Sequence, residues 1–321
     1  MYTNLTAKDL FEAQHAPLKL KWLAGQAGKN RLLEPATARF PGMALVGHLN
    51  FVHPNRVQVL GSAEVAYLKK LGKPARARAV HELFSCTTTT VVVVANNEKV
   101  APDLVRGAQD TGLPLFSSPL PSPKVIDHLQ HFLTRALATR IVMHGVYMEV
   151  MGLGVLLTGE SGIGKSELAL ELLSRNHRLI SDDAVEFSRI APDVILGRSP
   201  GMLRDFLEVR GLGILNVSAM FGDMAVRHEK TLRLIVHLEQ MKRQHFARID
   251  RLQVAQKTRT ILDVEIPEVV LVVAPGRNFA VLVEAATRNH ILRMRGIDPL
   301  AELIGRREVS MGRRRPGKSG K

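Results

Sequence analysis

The stretch that most constrains this chain is "GVLLTGESGIGKSELALELL", which begins at Gly154. Val155 to Leu157 read as a short buried strand ending at Thr158. A glycine-rich turn follows, and Leu168, Leu172 and Leu173 then share one face of a helix. The turn is Gly159, Glu160, Ser161, Gly162, Ile163, Gly164, Lys165 and Ser166. Its glycines let the backbone curl with N–H groups pointing inward at a phosphate, while Lys165 reaches the outer phosphates and the Ser166 hydroxyl meets Mg2+. The helix that follows presents its partly positive N-terminus to the same anion. A plain glycine turn linking strand to helix is the alternative, but strand, turn and helix together make these eight residues a nucleotide-binding P-loop.

The chain has 321 residues, enough for two domains, and 45% are hydrophobic. Aromatics are only 5%, so Leu, Val, Ile and Ala must build the core. No apolar run has the length of a membrane span and the N-terminus lacks a signal-type apolar segment, so a cytoplasmic protein without a membrane partner is expected. Cys86 is the sole cysteine, which excludes an internal disulfide and a zinc-type thiolate cluster. The formal charge is +14, and only five of those charges lie in the tail "MGRRRPGKSGK". Such charge makes nucleic acid a candidate partner. No basic segment interleaved with aromatics and no recognition-helix pattern accompanies it, so a nucleic-acid partner is not expected.

The chain reads as α/β throughout. In the first half, residues 55–61 predict a strand followed by a helix through Leu71. "TTVVVVANN" predicts a buried strand with a helix near Pro102 to Gln109, and "LPLFSS" another strand. "SSPLPSPK" is proline-rich punctuation before a helical segment from Val125 to about Ala138. These signals predict an N-terminal α/β domain over 1–130, a catalytic domain over 131–310, and a basic, disordered tail over 311–321. In the second half, "RIVMHGVYMEVMGLGVLLTG" predicts two adjacent strands leading into the P-loop. Further strands are expected at "HRLISDDAVEF", Leu232 to Leu238 and Val269 to Ala274, with a last helix from Phe279.

Asp182 and Asp183 close a strand where P-loop folds place a carboxylate beside the metal or the attacking group. Adjacent side chains on extended backbone point oppositely, so at most one is expected to aim at the phosphate. "FLEVRGLGILNV" puts Glu208 and Arg210 in alternation before glycines, a pattern suited to a carboxylate for Mg2+ and a guanidinium for phosphate oxygens. "VAPGRN" supplies Arg277 after a Pro-Gly turn, with Asn278 as a helix N-cap. By residue type alone, His144 before a glycine on a strand reads as a core histidine and Arg251 as a surface arginine.

"HGV" at His144, "GESGIGKSE" at Gly159, "DDAVEF" at Asp182, "LEVRGLGILNV" at Leu207, "DRL" at Asp250 and "PGRN" at Pro275, in this order, resemble the bacterial HPr kinase/phosphorylase family. "NRVQVLGSAEVAYL" extends the resemblance into the first half. The resemblance implies a C-terminal P-loop kinase domain of phosphoenolpyruvate carboxykinase-like fold with a mixed sheet. It implies ATP-dependent phosphorylation of a serine on the phosphocarrier protein HPr, with pyrophosphate open as a second donor. The reverse reaction would be phosphorolysis with inorganic phosphate, giving pyrophosphate, in regulation of the sugar phosphotransferase system and carbon metabolism. It further implies a homohexamer, with residues 289–307 near the carrier.

Carried onto matching positions, it implies His144, Lys165, Asp183 and Arg251 as catalytic, Asp183 serving as base in one direction and acid in the other. Ser166 and Glu208 would bind Mg2+. Leu207, Glu208, Val209, Arg210, Gly211, Leu212, Gly213, Ile214, Leu215 and Asn216 form the signature shared by both reactions. Val272, Val273, Ala274, Pro275, Gly276 and Arg277 form the dephosphorylation loop. Ala274 stands where a basic residue is often expected, which predicts phosphorolysis weakened more than kinase activity. The competing readings are a phosphoenolpyruvate carboxykinase-like or other small-molecule phosphotransferase, for which no decarboxylation machinery is found, and a nucleotide-dependent regulator binding nucleic acid.

Overall fold

The structure is a computed structural model that describes residues 5–33, 44–201, 204–240, 257–274 and 276–298, with 302 and 306. Arg251, Pro275 and the 311–321 tail lie outside the described residues, as does part of the 289–307 region. The chain divides into two compact units, Met1–Ala138 and Thr139–Lys321.

In chain order the first unit contains α1 (Ala7–Leu18), β1 (Lys21–Ala24), β2 (Val46–His48), β3 (Val57–Leu60), α2 (Ser62–Lys70), α3 (Lys73–Ser85), β4 (Val91–Val94), α4 (Pro102–Thr111), β5 (Leu115–Ser117) and α5 (Ser122–Ala136). The sheet order is β1-β5-β4-β3-β2, with β2 to β5 parallel and β1 antiparallel at one edge. Strands β3 and β4 are buried along their whole length, because helices cover both faces of a parallel sheet. Alternate residues serve opposite faces. Val57, Val59, Val91 and Val93 pack with Leu10 of α1 and Leu129 and Leu133 of α5, while Leu60, Val92 and Val94 pack with Leu68, Leu83, Phe84 and Leu104 of the other helices.

The second unit contains β6 (Arg140–His144), β7 (Val146–Val150), β8 (Leu153–Gly159), α6 (Lys165–Ser174), β9 (Arg178–Ser181), β10 (Ala184–Ala191), β11 (Val194–Arg198), β12 (Phe206–Val209), β13 (Gly213–Asn216), α7 (Val217–Phe221), β14 (Glu229–Gln240), β15 (Lys257–Ile261), β16 (Val264–Val273) and α8 (Phe279–Met294). The long strand β14 organises it. Its first residues pair antiparallel with β11, while its remainder runs parallel between β8 and β16. Beyond β8 come β7 and β9, antiparallel in turn, so the sheet is mixed. The register slips between Leu232 and Leu234, and that bulge changes the face each serves. Leu232 packs with Tyr147, Leu156 and Ile235, whereas Leu234 joins Val155, Leu157 and Val236 beneath Leu168 and Leu172 of α6 and Ala280 and Val283 of α8.

Residues 140–159 form three strands rather than the expected two. β6 leaves at Gly145 to pair with β10, while β7 and β8 form a hairpin closed by Met151 and Gly152 at φ +50° and +81°. The apolar run Ile141, Val142, Met143 resembles a buried strand, yet Ile141 and Val142 are exposed on the sheet's edge. Edge position is a property of the pairing and is invisible in one segment's composition.

Candidate functional site

The P-loop between β8 and α6, the Asp182-Asp183 turn after β9, the β12–β13 hairpin and the end of β6 surround one cleft of about 660 Å³. Strand β8 reaches the loop between two paired neighbours, so the turn starts from a fixed base. At Gly159 a Cβ would lie 2.6 Å from the Leu238 carbonyl oxygen of β14, so only glycine lets the loop leave so close to that strand. Lys165 opens α6, and its Nζ donates to the carbonyls of Gly159 (3.0 Å) and Glu160 (2.9 Å). The ammonium is thereby held inside the curl of the loop. Ser166 lines the same wall. Behind the loop, Thr158 Oγ1 and His237 Nδ1 are hydrogen-bonded at 2.9 Å across β8 and β14. Sequence reasoning missed this pair, because only the parallel register brings the two residues together.

The two aspartates differ in environment. Asp182 Oδ2 accepts the Glu208 backbone N–H at 2.8 Å, and the group is half-buried. Burial pushes its carboxyl above the usual aspartate value; the N–H donors of Glu208 and Asp183 oppose that, and the neighbouring Asp183 and Glu208 carboxylates reinforce it. Asp183 has φ +63°, and its side chain is 82% exposed in the cleft, with Oδ1 3.7 Å from Nδ1 of His144. The turn is fixed by Asp183 accepting from the Gly145 N–H at 3.0 Å and by the Ser181 hydroxyl donating to the Ala184 carbonyl at 2.5 Å. His144 is therefore not the core histidine that residue type suggests: its side chain is 85% exposed.

In the β12–β13 hairpin, Leu207 and Val209 point into the core and Glu208 and Arg210 point out, the alternation of a half-buried strand. Glu208, Val209, Arg210, Gly211 and Gly213 line the cleft. The Arg210 guanidinium stands against the P-loop, its Nη1 3.1 Å from where a Cβ on Gly162 would sit. Leu215 packs on the core, Asn216 caps α7 by accepting the Ala219 N–H at 3.0 Å, and Leu212 and Ile214 are exposed. Lys165 and Arg210 thus share the cleft with Glu167, Asp182, Asp183 and Glu208.

Val272 and Val273 end β16, in register with Glu239 and Gln240 of β14. Their loop leaves the same edge of the sheet as the P-loop with β14 between them, a separation of about 10 Å at strand spacing. Ala274 is buried, Arg277 is exposed, and none of Val272, Val273, Ala274, Gly276 and Arg277 lines the cleft.

Ser166 and Glu208 offer oxygen donors to one space. Among the described residues no group of three His, Cys, Asp or Glu side chains is gathered to hold a metal. An oxygen-only set of few protein ligands suits Mg2+, which keeps several waters and takes phosphate oxygens. No helix among the described residues is long and apolar enough to cross a membrane.

Residues 5–133 match the family model described as HPr Serine kinase N terminus, and residues 135–307 match the HPr Serine kinase C-terminal domain. The chain is 50% identical over 304 residues to the HPr kinase/phosphorylase of Chromobacterium violaceum, covering 94% of this chain and 95% of that one. It is 47% identical over 317 residues to that of Stenotrophomonas maltophilia, covering 98% and 100%. A solved structure, the Hpr(Ser) kinase/phosphatase from Coxiella burnetii, is 32% identical with a TM-score of 0.45, covering 49% of this chain and 93% of that one. Both halves match one family, and near-full-length relatives share about half their residues with this chain, so it belongs to the HPr serine kinase family of kinase/phosphorylase enzymes.

Proposed function

We propose that this protein transfers the γ-phosphoryl group of ATP to a serine of the carrier protein HPr and removes it by phosphorolysis with inorganic phosphate. The observation that carries this reading is one cleft lined by Lys165 and Ser166, Asp183, and Glu208, from three separate stretches of the chain. A nucleotide-binding loop alone fits many activities. An exposed carboxylate facing that loop fits transfer to a hydroxyl.

In the forward direction the backbone N–H groups of the loop and Lys165 hold the donor phosphates; Ser166 and Glu208 would hold Mg2+, which would neutralise charge on the phosphates. Asp183 accepts the serine proton as the Oγ–P bond forms and ADP leaves. In the reverse direction a phosphate oxygen attacks the phosphoserine phosphorus, the P–Oγ bond breaks, Asp183 returns the proton to Oγ, and pyrophosphate forms. One carboxylate serves both directions because the reverse reaction retraces the proton transfer. The approach of His144 to Asp183 supports a role for His144 beside that proton. Arg210 against the loop suits a phosphate clamp, and Arg277 and Arg251 are assigned to phosphorolysis and catalysis. The working assembly is a cytoplasmic homohexamer, and its output is control of the sugar phosphotransferase system and carbon metabolism.

The test is to incubate the protein with HPr from the same organism, Mg2+ and ATP, to read phosphoserine by intact mass, then to add inorganic phosphate and assay pyrophosphate. Transfer and reversal are expected, both lost in Asp183→Asn with nucleotide binding retained. Nucleotide binding without transfer overturns the assigned substrate.

A further inference from the structure

We infer that Glu171, on the helix that follows the P-loop, is a positioning residue for Arg277 and sets where it stands during phosphorolysis. This rests on the reading above and deepens it.

Asn278 makes two bonds with one side chain. Its Oδ1 accepts the Val281 N–H at 2.9 Å and caps α8, while its Nδ2 donates to Glu171 Oε1 on α6 at 2.8 Å. The same Glu171 oxygen accepts from Arg175 at 3.3 Å, Arg175 lies 3.7 Å from Glu284 of α8, and Glu284 Oε1 is 3.0 Å from Nε2 of the buried His177. Beneath this polar row, Ala280 and Val283 pack with Leu168, Leu172 and Leu173. The start of α8 is therefore fixed to α6.

Strand β16 is fixed by pairing with β14, and Asn278 is fixed by Glu171. Arg277 precedes that anchor directly, so its Cα lies about 3.8 Å from the Asn278 Cα. The origin of its side chain is thus inherited from the Glu171 contact. Glu171 does not line the cleft, and it sits six residues along α6 from Lys165, about 9 Å away on the helix axis. Removing its carboxylate loosens the Asn278 anchor next to Arg277 while leaving the N-terminal end of α6 in place.

The experiment compares the full-length protein with Glu171→Ala, Glu171→Gln and Asn278→Asp, measuring phosphorylation of HPr and phosphorolysis separately. Glu171→Ala is expected to lower kcat/KM for phosphorolysis about tenfold, mainly through KM for phosphate, and to leave phosphorylation within about twofold. Glu171→Gln still offers an acceptor oxygen to Asn278 and restores phosphorolysis. Asn278→Asp keeps the helix cap but loses the donor, so it reproduces the selective loss even if Glu171→Ala folds poorly. Parallel loss of both reactions, or no change in either, overturns the inference. A wild-type chain that performs neither reaction removes the reading above and the inference with it.

Discussion

At the scale of single residues, Asp182 and Asp183 are chemically identical and adjacent, and the fold gives them different surroundings. Asp182 is held by the Glu208 N–H and pushed up by burial, while Asp183 is exposed beside His144. A carboxyl whose folded value lies above its unfolded value holds its proton to higher pH in the native state. Its contribution to stability is therefore full below the ordinary aspartate value and is lost as pH rises through the raised one. Asp182→Asn keeps an oxygen for Glu208 without the charge. In metal-free buffer with a chelator it is expected to have a higher urea midpoint than the wild type at pH 7, an advantage that shrinks towards pH 4. A lower midpoint at pH 7 contradicts the burial argument. Asp182→Ala, which loses the acceptor, should cost about 1 kcal/mol. Gly159→Ala drives a methyl against the Leu238 carbonyl and should cost about 2–3 kcal/mol, read as a drop in melting temperature. The loop was legible in the sequence because a glycine-rich turn between a buried strand and an amphipathic helix is a local pattern. That both aspartates line the cleft, with Asp183 the more exposed, was not, since it depends on the positive φ of Asp183 and on a backbone donor in a hairpin 26 residues away.

At the scale of elements, strands β3, β4, β8, β14 and β16 and helices α2, α4, α5, α6 and α8 announced themselves through apolar runs and periodicity, because they are buried on the faces their sequences mark. The edge elements did not. β6 carries apolar residues on a rim, and β15 alternates too weakly to read, with only Ile261 of its five residues buried. The β12–β13 hairpin shows how an element positions chemistry. Among the described residues it pairs with no strand of the large sheet, and it is held by Leu207 and Val209 in the core and by the Asp182 contact. Leu207→Ala should cost about 2–4 kcal/mol and also weaken catalysis, because Glu208 rides on the same strand and Arg210 directly follows it. Ile214, 69% exposed on the partner strand, is the control: Ile214→Ala should change stability by less than about 0.5 kcal/mol in the same urea titration.

At the scale of the whole molecule, the sequence reading set a boundary at residue 130 on the strength of "SSPLPSPK", but that position falls inside α5, and the compact units divide between Ala138 and Thr139. The prolines there start a helix: Pro121 precedes α5 and Pro123 lies in its first turn, where a missing N–H costs nothing. Proline-rich punctuation marks an element's start as readily as a linker, and composition cannot tell them apart. Each unit has its own sheet with apolar packing on both faces, and the residues that line the cleft beside the P-loop all belong to the second. A chain of residues 139–321 should therefore fold cooperatively and bind ATP with a Kd within about threefold of the full-length value, measured by calorimetry in the presence of Mg2+. A cooperative fold with ATP affinity reduced more than about tenfold would mean that the first unit shapes the cleft after all. Retained affinity assigns nucleotide recognition to the second unit and leaves the first free for a different task.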